Sequence, residues 1–387
     1  MLRLQITSLL AKIESTYGTD PAPTGAANAI LLTGKPALTP IEAVNVQRGI
    51  IRPYFGNADV LPSSIYAKLD FEVEIAGSGT AGVAPAWGPL MRACGLSETI
   101  TAAAITGTGQ AGSTTTSMVL AAGASAVDDF YDGMPISITA GTGNGQTGVI
   151  VDYNGTTKTA TLASAWALAT DATSQYSIGA NVAYRPISQN FESVSMYFNI
   201  DGVLHKMTGV RGNVSVNTAV DQIPTFKFSM AGLFNTVADS ASPTAVFTGW
   251  TKPLPVNKLN TPLLTLQGFA TAALESMSID MANAVTHYSL VGGTEQIIVT
   301  DRKPKGQISM EAVNVGTKDW WTAAKNALLG PFAMQHGTVA GNKVQFTAPA
   351  MQIEAPKYGD KNNIAMLQAG LVPTPVSGND EIAIVTF

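Results

Sequence analysis

Three groups of residues in this chain have the types from which a chemical site could be built: glycine-rich loops, histidines and a row of carboxylates. The pattern GxGxxG occurs at Gly77-Ser78-Gly79-Thr80-Ala81-Gly82 and again at Gly107-Thr108-Gly109-Gln110-Ala111-Gly112. Such a loop binds a dinucleotide when a helix starts at the glycines and turns its N-terminus toward the pyrophosphate. Pro85 and only a very short helical stretch follow the first copy, so both copies predict turns. His205, His287 and His336 lie outside any HExxH, HxH or CxxC context, and Cys94 is the lone cysteine. No metal centre, nucleophile triad or internal disulfide is expected from them. A Walker sequence and a GxSxG elbow are also missing. The expectation is a protein that is not an enzyme, without catalytic residues, cofactor or metal. The carboxylates are more informative. Asp70, Glu72 and Glu74 alternate with Leu69, Phe71, Val73 and Ile75, which makes 67–75 a strand with Lys68 and the three acids on one face. Spaced by about 7 Å in a row, they are not opposed across a cleft as glycoside hydrolysis requires. They predict a solvated strand face or, more sharply, the wall of a pore.

The elements that carry these residues read as strands. In 274–313, Ser276-Met277-Ser278-Ile279-Asp280-Met281 alternates strictly, Gly292-Gly293 break the chain, 301–306 makes a charged turn, and Gln307-Ile308-Ser309-Met310-Glu311 alternates again. Residues 191–234 echo this grammar, and two like sheets predict a mainly β sandwich or barrel. Before it, 2–13 predicts a short helix or strand, 17–25 a fixed arm or loop, and 45–64 a long loop with Gly49, Pro53, Gly56 and Pro62. Residues 89–94 predict a short helix closed by Gly95. From 99 to 184 there is no Arg or Glu and Lys158 is the single Lys, so 101–180 is expected to be an inserted small β module with a hairpin at Asn154-Gly155. The rest, 1–100 with 181–387, forms one discontinuous domain. Residues 239–263 predict a proline-rich connection, and 317–329 predicts the best helix: Thr317 as cap, Trp320, Ala324, Ala327 and Leu328 as apolar face, Gly330-Pro331 as stop.

Composition narrows the function classes. With 45% hydrophobic residues the 387-residue chain can bury a large core, while charged residues at 13% are about half the usual share, a composition suited to contact with other protein surfaces. A net charge of −5 without any Lys/Arg cluster argues against tight nucleic-acid binding. Gln5, Thr7 and Ser8 interrupt the apolar core that a signal peptide would need, and no run reaches the ~18 apolar residues of a membrane span.

Several segments together resemble the major tail-tube proteins of long-tailed, non-contractile bacteriophages. They are Lys12-Ile13-Glu14-Ser15-Thr16-Tyr17-Gly18-Thr19-Asp20-Pro21, Leu90-Met91-Arg92-Ala93-Cys94-Gly95-Leu96-Ser97-Glu98-Thr99, Asp201-Gly202-Val203-Leu204-His205-Lys206, Ile223-Pro224-Thr225-Phe226 and Gly378-Asn379-Asp380-Glu381. Their order spans most of the chain outside the insert. The resemblance implies a tail-tube-type β-sandwich with one flanking helix, assembled as hexameric rings that stack into a tube around a channel for DNA ejection. It implies a virion protein made in the host bacterial cytoplasm. Its partners would be copies of itself, a tape-measure protein, a tail terminator and tail-tip proteins, with DNA passing unbound and no membrane. On this reading Asp70, Glu72 and Glu74 face the lumen, the loop with Arg48, Arg52, Tyr54 and Phe55 joins ring to ring, and the insert projects outward. The rival reading is a carbohydrate- or receptor-binding protein of the virion surface, which would need clustered exposed aromatics where the insert offers Phe130, Tyr131, Tyr153, Trp166 and Tyr176.

Overall fold

β-Branched and aromatic residues alternating with small polar ones favour extended chain, and strands dominate the computed structural model, which describes residues 2–270 and 272–387. The fold is mainly β, and no helix among the described residues exceeds six residues. Two strands organise the main body. Val203–Ala219 keeps Thr225–Phe234 along one edge, while its other edge pairs first with Val194–Ile200 and then with Leu274–Asp280. Val344–Lys361 behaves alike, with Leu329–His336 on one edge and Ala383–Thr386 followed by Ile364–Thr374 on the other. Strands that change neighbour belong to two layers, so the sheet folds back over itself. One core fills the space between: Leu69, Phe71, Phe228 and Ile308 on one side, Leu9, Met196, Phe198 and Ile384 on the other. Trp87 bridges them, its ring 5.0 Å from Phe226 and 5.1 Å from Tyr184.

The helix Gly88–Ala93 plugs this core rather than flanking it, with Leu90 and Met91 fully buried and Gly95 in the left-handed region at φ 78°. Arg92 at its end joins two parts of the second layer, 2.5 Å from Glu192 and 3.6 Å from Glu98. The N-terminal strand Thr7–Ile13 is held by a buried carboxylate. Glu14 accepts from the hydroxyls of Ser193 and Ser195, both at 2.6 Å, and from the backbone N–H groups of Gly18 (2.7 Å) and Gly209 (2.8 Å). Asp20 then takes the Lys206 ammonium and the Tyr197 hydroxyl. Burial alone would raise the Asp20 carboxyl, but those two hydrogen bonds, with the Ala22 N–H and the Lys206 charge, together hold the group below its ordinary value. The turn-rich 17–25 segment is thereby a fixed arm.

Several expectations change. Residues 191–234 and 274–313 do not form two like sheets, because Ser215 in the first pairs directly with Asp280 in the second. Alternation reports a half-buried strand but not which neighbour it takes. The 45–64 loop is shorter than expected: Thr33–Gln47 pairs with Val60–Glu74 up to Gln47↔Val60, so that 48–59 is the loop of a hairpin. Register shifts along this pair and the edge position accommodate Pro36, Pro40 and Pro62. The 317–329 helix shrinks to Trp320–Lys325. Asp319, not Thr317, caps it by accepting from the Thr322 N–H, and Trp320 and Ala323 are the buried side chains. Ala327 at φ 51° ends the turn, and Gly330-Pro331 lie inside the next strand, Leu329–His336. The charged turn 301–306 is only Lys303-Pro304, between Gln296–Arg302 and Lys305–Glu311.

Residues 105–178 form their own six-stranded sheet, ordered Ile105–Thr108, Gln175–Ile178, Pro135–Ala140, Thr147–Asn154, Thr159–Leu162, Ser117–Val119. Asn154-Gly155 opens the connection from Thr147–Asn154 to Thr159–Leu162, Asn154 Oδ1 accepting from the Thr156 and Thr157 N–H groups. The flanking strands Leu96–Thr101 and Asn181–Pro186 pair with each other, which brings both ends of the module to one neck. The module is seated rather than dangling. Ala183 and Val385 of the main body enter its core, and Arg185 Nη2 donates to the carbonyls of Phe130 (2.9 Å) and Asp132 (2.6 Å). Gly133, at φ 76°, approaches so closely that an added Cβ would stand 2.7 Å from Val385.

Candidate assembly surfaces

The hairpin Thr33–Gln47/Val60–Glu74 starts inside the sheet and ends outside it. Near its base Leu69, Phe71 and Val73 are buried; toward its tip Ile41, Val44, Val46, Val60 and Leu61 are all about half exposed or more. At the tip Ile51 and Phe55 are fully exposed, at 99% and 107%, and Tyr54 stands at 65%. Water-facing apolar residues on such an arm cost solubility unless another surface covers them. The outer edge of Thr33–Gln47 has no strand partner among the described residues, so it offers unpaired N–H and C=O groups over a long run.

The sequence picked four residues here, and they divide by role. Tyr54 and Phe55 are exposed, and Arg52 lies over the Tyr54 ring at 5.9 Å. Arg48 instead closes the loop on Asp59 at 2.9 Å, an exposed pair worth at most about 1 kcal/mol. Ile51, Val44 and Leu61 were missed; the alternation of 41–47 carried the signal, but without a known pairing it did not show that both faces stay open. A second tip projects from the hairpin Asn283–Tyr288/Gln296–Arg302, where Leu290 and Val291 are exposed. Tyr17 and Arg211 hold its base: Ile297 donates its N–H to the Tyr17 hydroxyl at 2.6 Å, and Arg211 Nη1 reaches the Ile297 carbonyl at 2.9 Å.

Asp70, Glu72 and Glu74 do share one face, half-buried, on the side of the sheet away from the core. They do not stand alone there. One row across the strands runs Glu72, Lys227, Ser215, Asp280, Lys305, and the next runs Glu74, Thr225, Asn217, Ser278, Gln307, Gly370, Glu354. The face is therefore a wide polar surface of mixed sign in which carboxylates and lysines are interleaved, and not a purely acidic one. Opposite charges directly across a ladder attract, and Asp280 also accepts from the Asn213 amide at 2.6 Å. A concavity of about 780 Å³ opens on this face beside Ser276, Lys305, Gln307, Ser309 and Lys357.

The other candidates separate. The Gly77–Gly82 stretch is a turn pressed against the loop at Gly341, whose carbonyl accepts the Gly79 N–H at 2.9 Å. His287 pairs with Glu295 at 2.6 Å and stacks on Tyr66; His336 lies between Thr261 and the Leu254 carbonyl. His205 is pushed down in pKa by burial and sits on a third element, so the histidines form no common centre. In the inserted module Tyr131, Tyr153, Trp166 and Tyr176 are all in the core. Set beside models of known protein families and beside curated proteins, the chain matches none.

Proposed function

We propose that this chain is a structural subunit that polymerises with copies of itself into stacked rings, hexameric by resemblance, forming the tail tube of a long-tailed bacteriophage. The observation that carries the reading is the hairpin arm, whose apolar tip and open edge call for a neighbouring subunit. Low charge, a main body with a single core and a second projecting tip support the same role. In this reading the arm links one ring to the next, and the polar face with Asp70, Glu72 and Glu74 lines the lumen. Interleaving lysines with carboxylates leaves no cationic patch on which DNA phosphates could lodge, and screening confines any residual field to about 10 Å at 0.1 M salt. DNA would pass without specific binding, and the tape-measure, terminator and tail-tip proteins would meet the tube along its bore and at its ends. A receptor-binding role on the virion surface is disfavoured because the aromatic rings of the insert are spent on its own core.

Negative-stain imaging of the purified protein tests this directly: rings or tubes are expected, and a monodisperse monomer at every concentration would overturn it. A tube reconstruction with the three carboxylates on the outer surface would remove the lumen assignment alone. Joining residue 100 to residue 181 should leave tubes able to form. Because Ala183 and Val385 would then be uncovered, the shortened chain should also lose solubility and melt earlier by circular dichroism. Complete loss of polymerisation in a still folded chain would show that the module is part of the tube wall.

A further inference from the structure

At the seam where the inserted module meets the main body, four aspartates come together from distant parts of the chain. Asp129 and Asp152 belong to the module, and Asp380 to the loop before the last strand; one carboxylate oxygen of each lies within 4.8 Å of the others. Asp380 is already oriented, since its carboxylate accepts the N–H groups of Val376, Ser377 and Gly378. Asp132 stands one turn after Asp129, only 2% exposed, and neither of its carboxylate oxygens has a hydrogen-bond partner. Burial raises its pKa, the charge of Arg185 opposes that, and the charges of Asp129, Asp152 and Asp380 raise it further. Asp129 Oδ1 is likewise buried and unpaired. Arg185 acts on Asp132 through its charge but makes no hydrogen bond to the carboxylate, since its Nη2 is directed to the Phe130 and Asp132 carbonyls. Buried acceptors left without donors among like charges are what a bound cation would explain.

We propose that Asp129, Asp152 and Asp380, with the unpaired carboxylate of Asp132 beside them, hold a calcium ion that fastens the inserted module to the main body. Hard oxygen donors without nitrogen or sulfur select a hard cation, and two oxygens each about 2.4 Å from one calcium are at most about 4.8 Å apart, the limit that Asp129, Asp152 and Asp380 meet. Magnesium, with bonds of about 2.0–2.1 Å, would need the oxygens drawn closer. The expectation of no metal was built on histidine and cysteine motifs; these aspartates lie up to 251 positions apart, between Asp129 and Asp380, and form no motif. The site is independent of whether the chain forms tubes.

The test uses the full, unassembled chain freed of metal by chelation, with calcium chloride as the probe. Native mass spectrometry should show one calcium per chain, and saturating calcium should raise the melting midpoint by roughly 5 °C. Magnesium at the same concentration should do much less. The variant Asp129→Asn with Asp152→Asn removes two ligand charges while keeping shape, and asparagine tolerates the left-handed backbone at position 129 (φ 60°). Without metal this variant should melt at or above the parent, since repulsion is relieved, and calcium should no longer shift it. In the parent, calcium should slow proteolysis within 101–180. Absence of a calcium adduct and of any shift at millimolar calcium would overturn the proposal, as would an undiminished shift in the variant.

Discussion

Replacing Ile51 and Phe55 by serine should yield a chain that folds as the parent does but polymerises only at far higher concentration. Both side chains are fully exposed in the isolated subunit, so removing them deletes no internal contact. Substitutions of this kind ordinarily change stability by less than about 0.5 kcal/mol. In the proposed tube the same two side chains would be covered by the neighbouring subunit. Full burial of an Ile or Phe is worth about 1.5–3 kcal/mol, so losing two costs about 3–6 kcal/mol per contact, or roughly a 10²- to 10⁴-fold weaker association. Every subunit makes the contact, so the concentration needed for polymerisation should rise by at least two decades. Sedimentation and negative-stain imaging across a concentration series read this, with the melting midpoint as the control for folding. Tubes forming at the parental concentration would remove the arm from the interface. Arg48→Ala offers a contrast, since Arg48 serves the loop through Asp59 and should weaken assembly only modestly.

The fold was legible where one face of a strand is buried. The alternation in 67–75 and 276–281 named the buried residues correctly, Leu69, Phe71, Val73 and Ile75, then Met277, Ile279 and Met281. It was less legible where partners decide the outcome. Nothing local in Val203–Ala219 says that it changes neighbour midway, and nothing in 45–64 says that a proline-bearing segment continues a hairpin, because edge strands tolerate what central strands do not. The helix at 317–329 was over-read since its apolar spacing fits a helix, yet Ala327 takes a left-handed turn that lets Leu329 begin a strand. The acidic row was visible as a row, but the lysine that stands directly across from it, Lys227 opposite Glu72, arrives from a strand more than 150 residues away. The aspartate cluster was invisible for the same reason: its members are joined by tertiary packing and not by spacing.

Glu14→Ala should destabilise the chain by about 4 kcal/mol, and Glu14→Gln by about half as much. Glu14 is 7% exposed and is the common acceptor for two hydroxyls and two backbone N–H groups drawn from three parts of the chain. Alanine takes the shared acceptor away from all four donors at a buried position. Each buried unsatisfied group costs about 1–3 kcal/mol, and serine hydroxyls that can rotate to other acceptors bring the sum down from its maximum. Glutamine keeps one acceptor oxygen and the shape, so it should lose the charge-assisted part of the bonds and present an NH₂ to a donor. Chemical denaturation of the unassembled chain measures both, and a loss below 1 kcal/mol for the alanine variant would refute the account. The effect should reach beyond stability. Glu14 sets the path of the following residues, among them Tyr17, whose ring lies 4.8 Å under the Arg211 guanidinium and whose hydroxyl takes the Ile297 N–H. Tyr17 and Arg211 together seat the hairpin that carries Leu290 and Val291. A Glu14→Gln chain, still folded at room temperature, should therefore show faster amide exchange across Gln296–Arg302 than the parent and should polymerise more slowly, while its exchange in the arm at 48–59 stays unchanged.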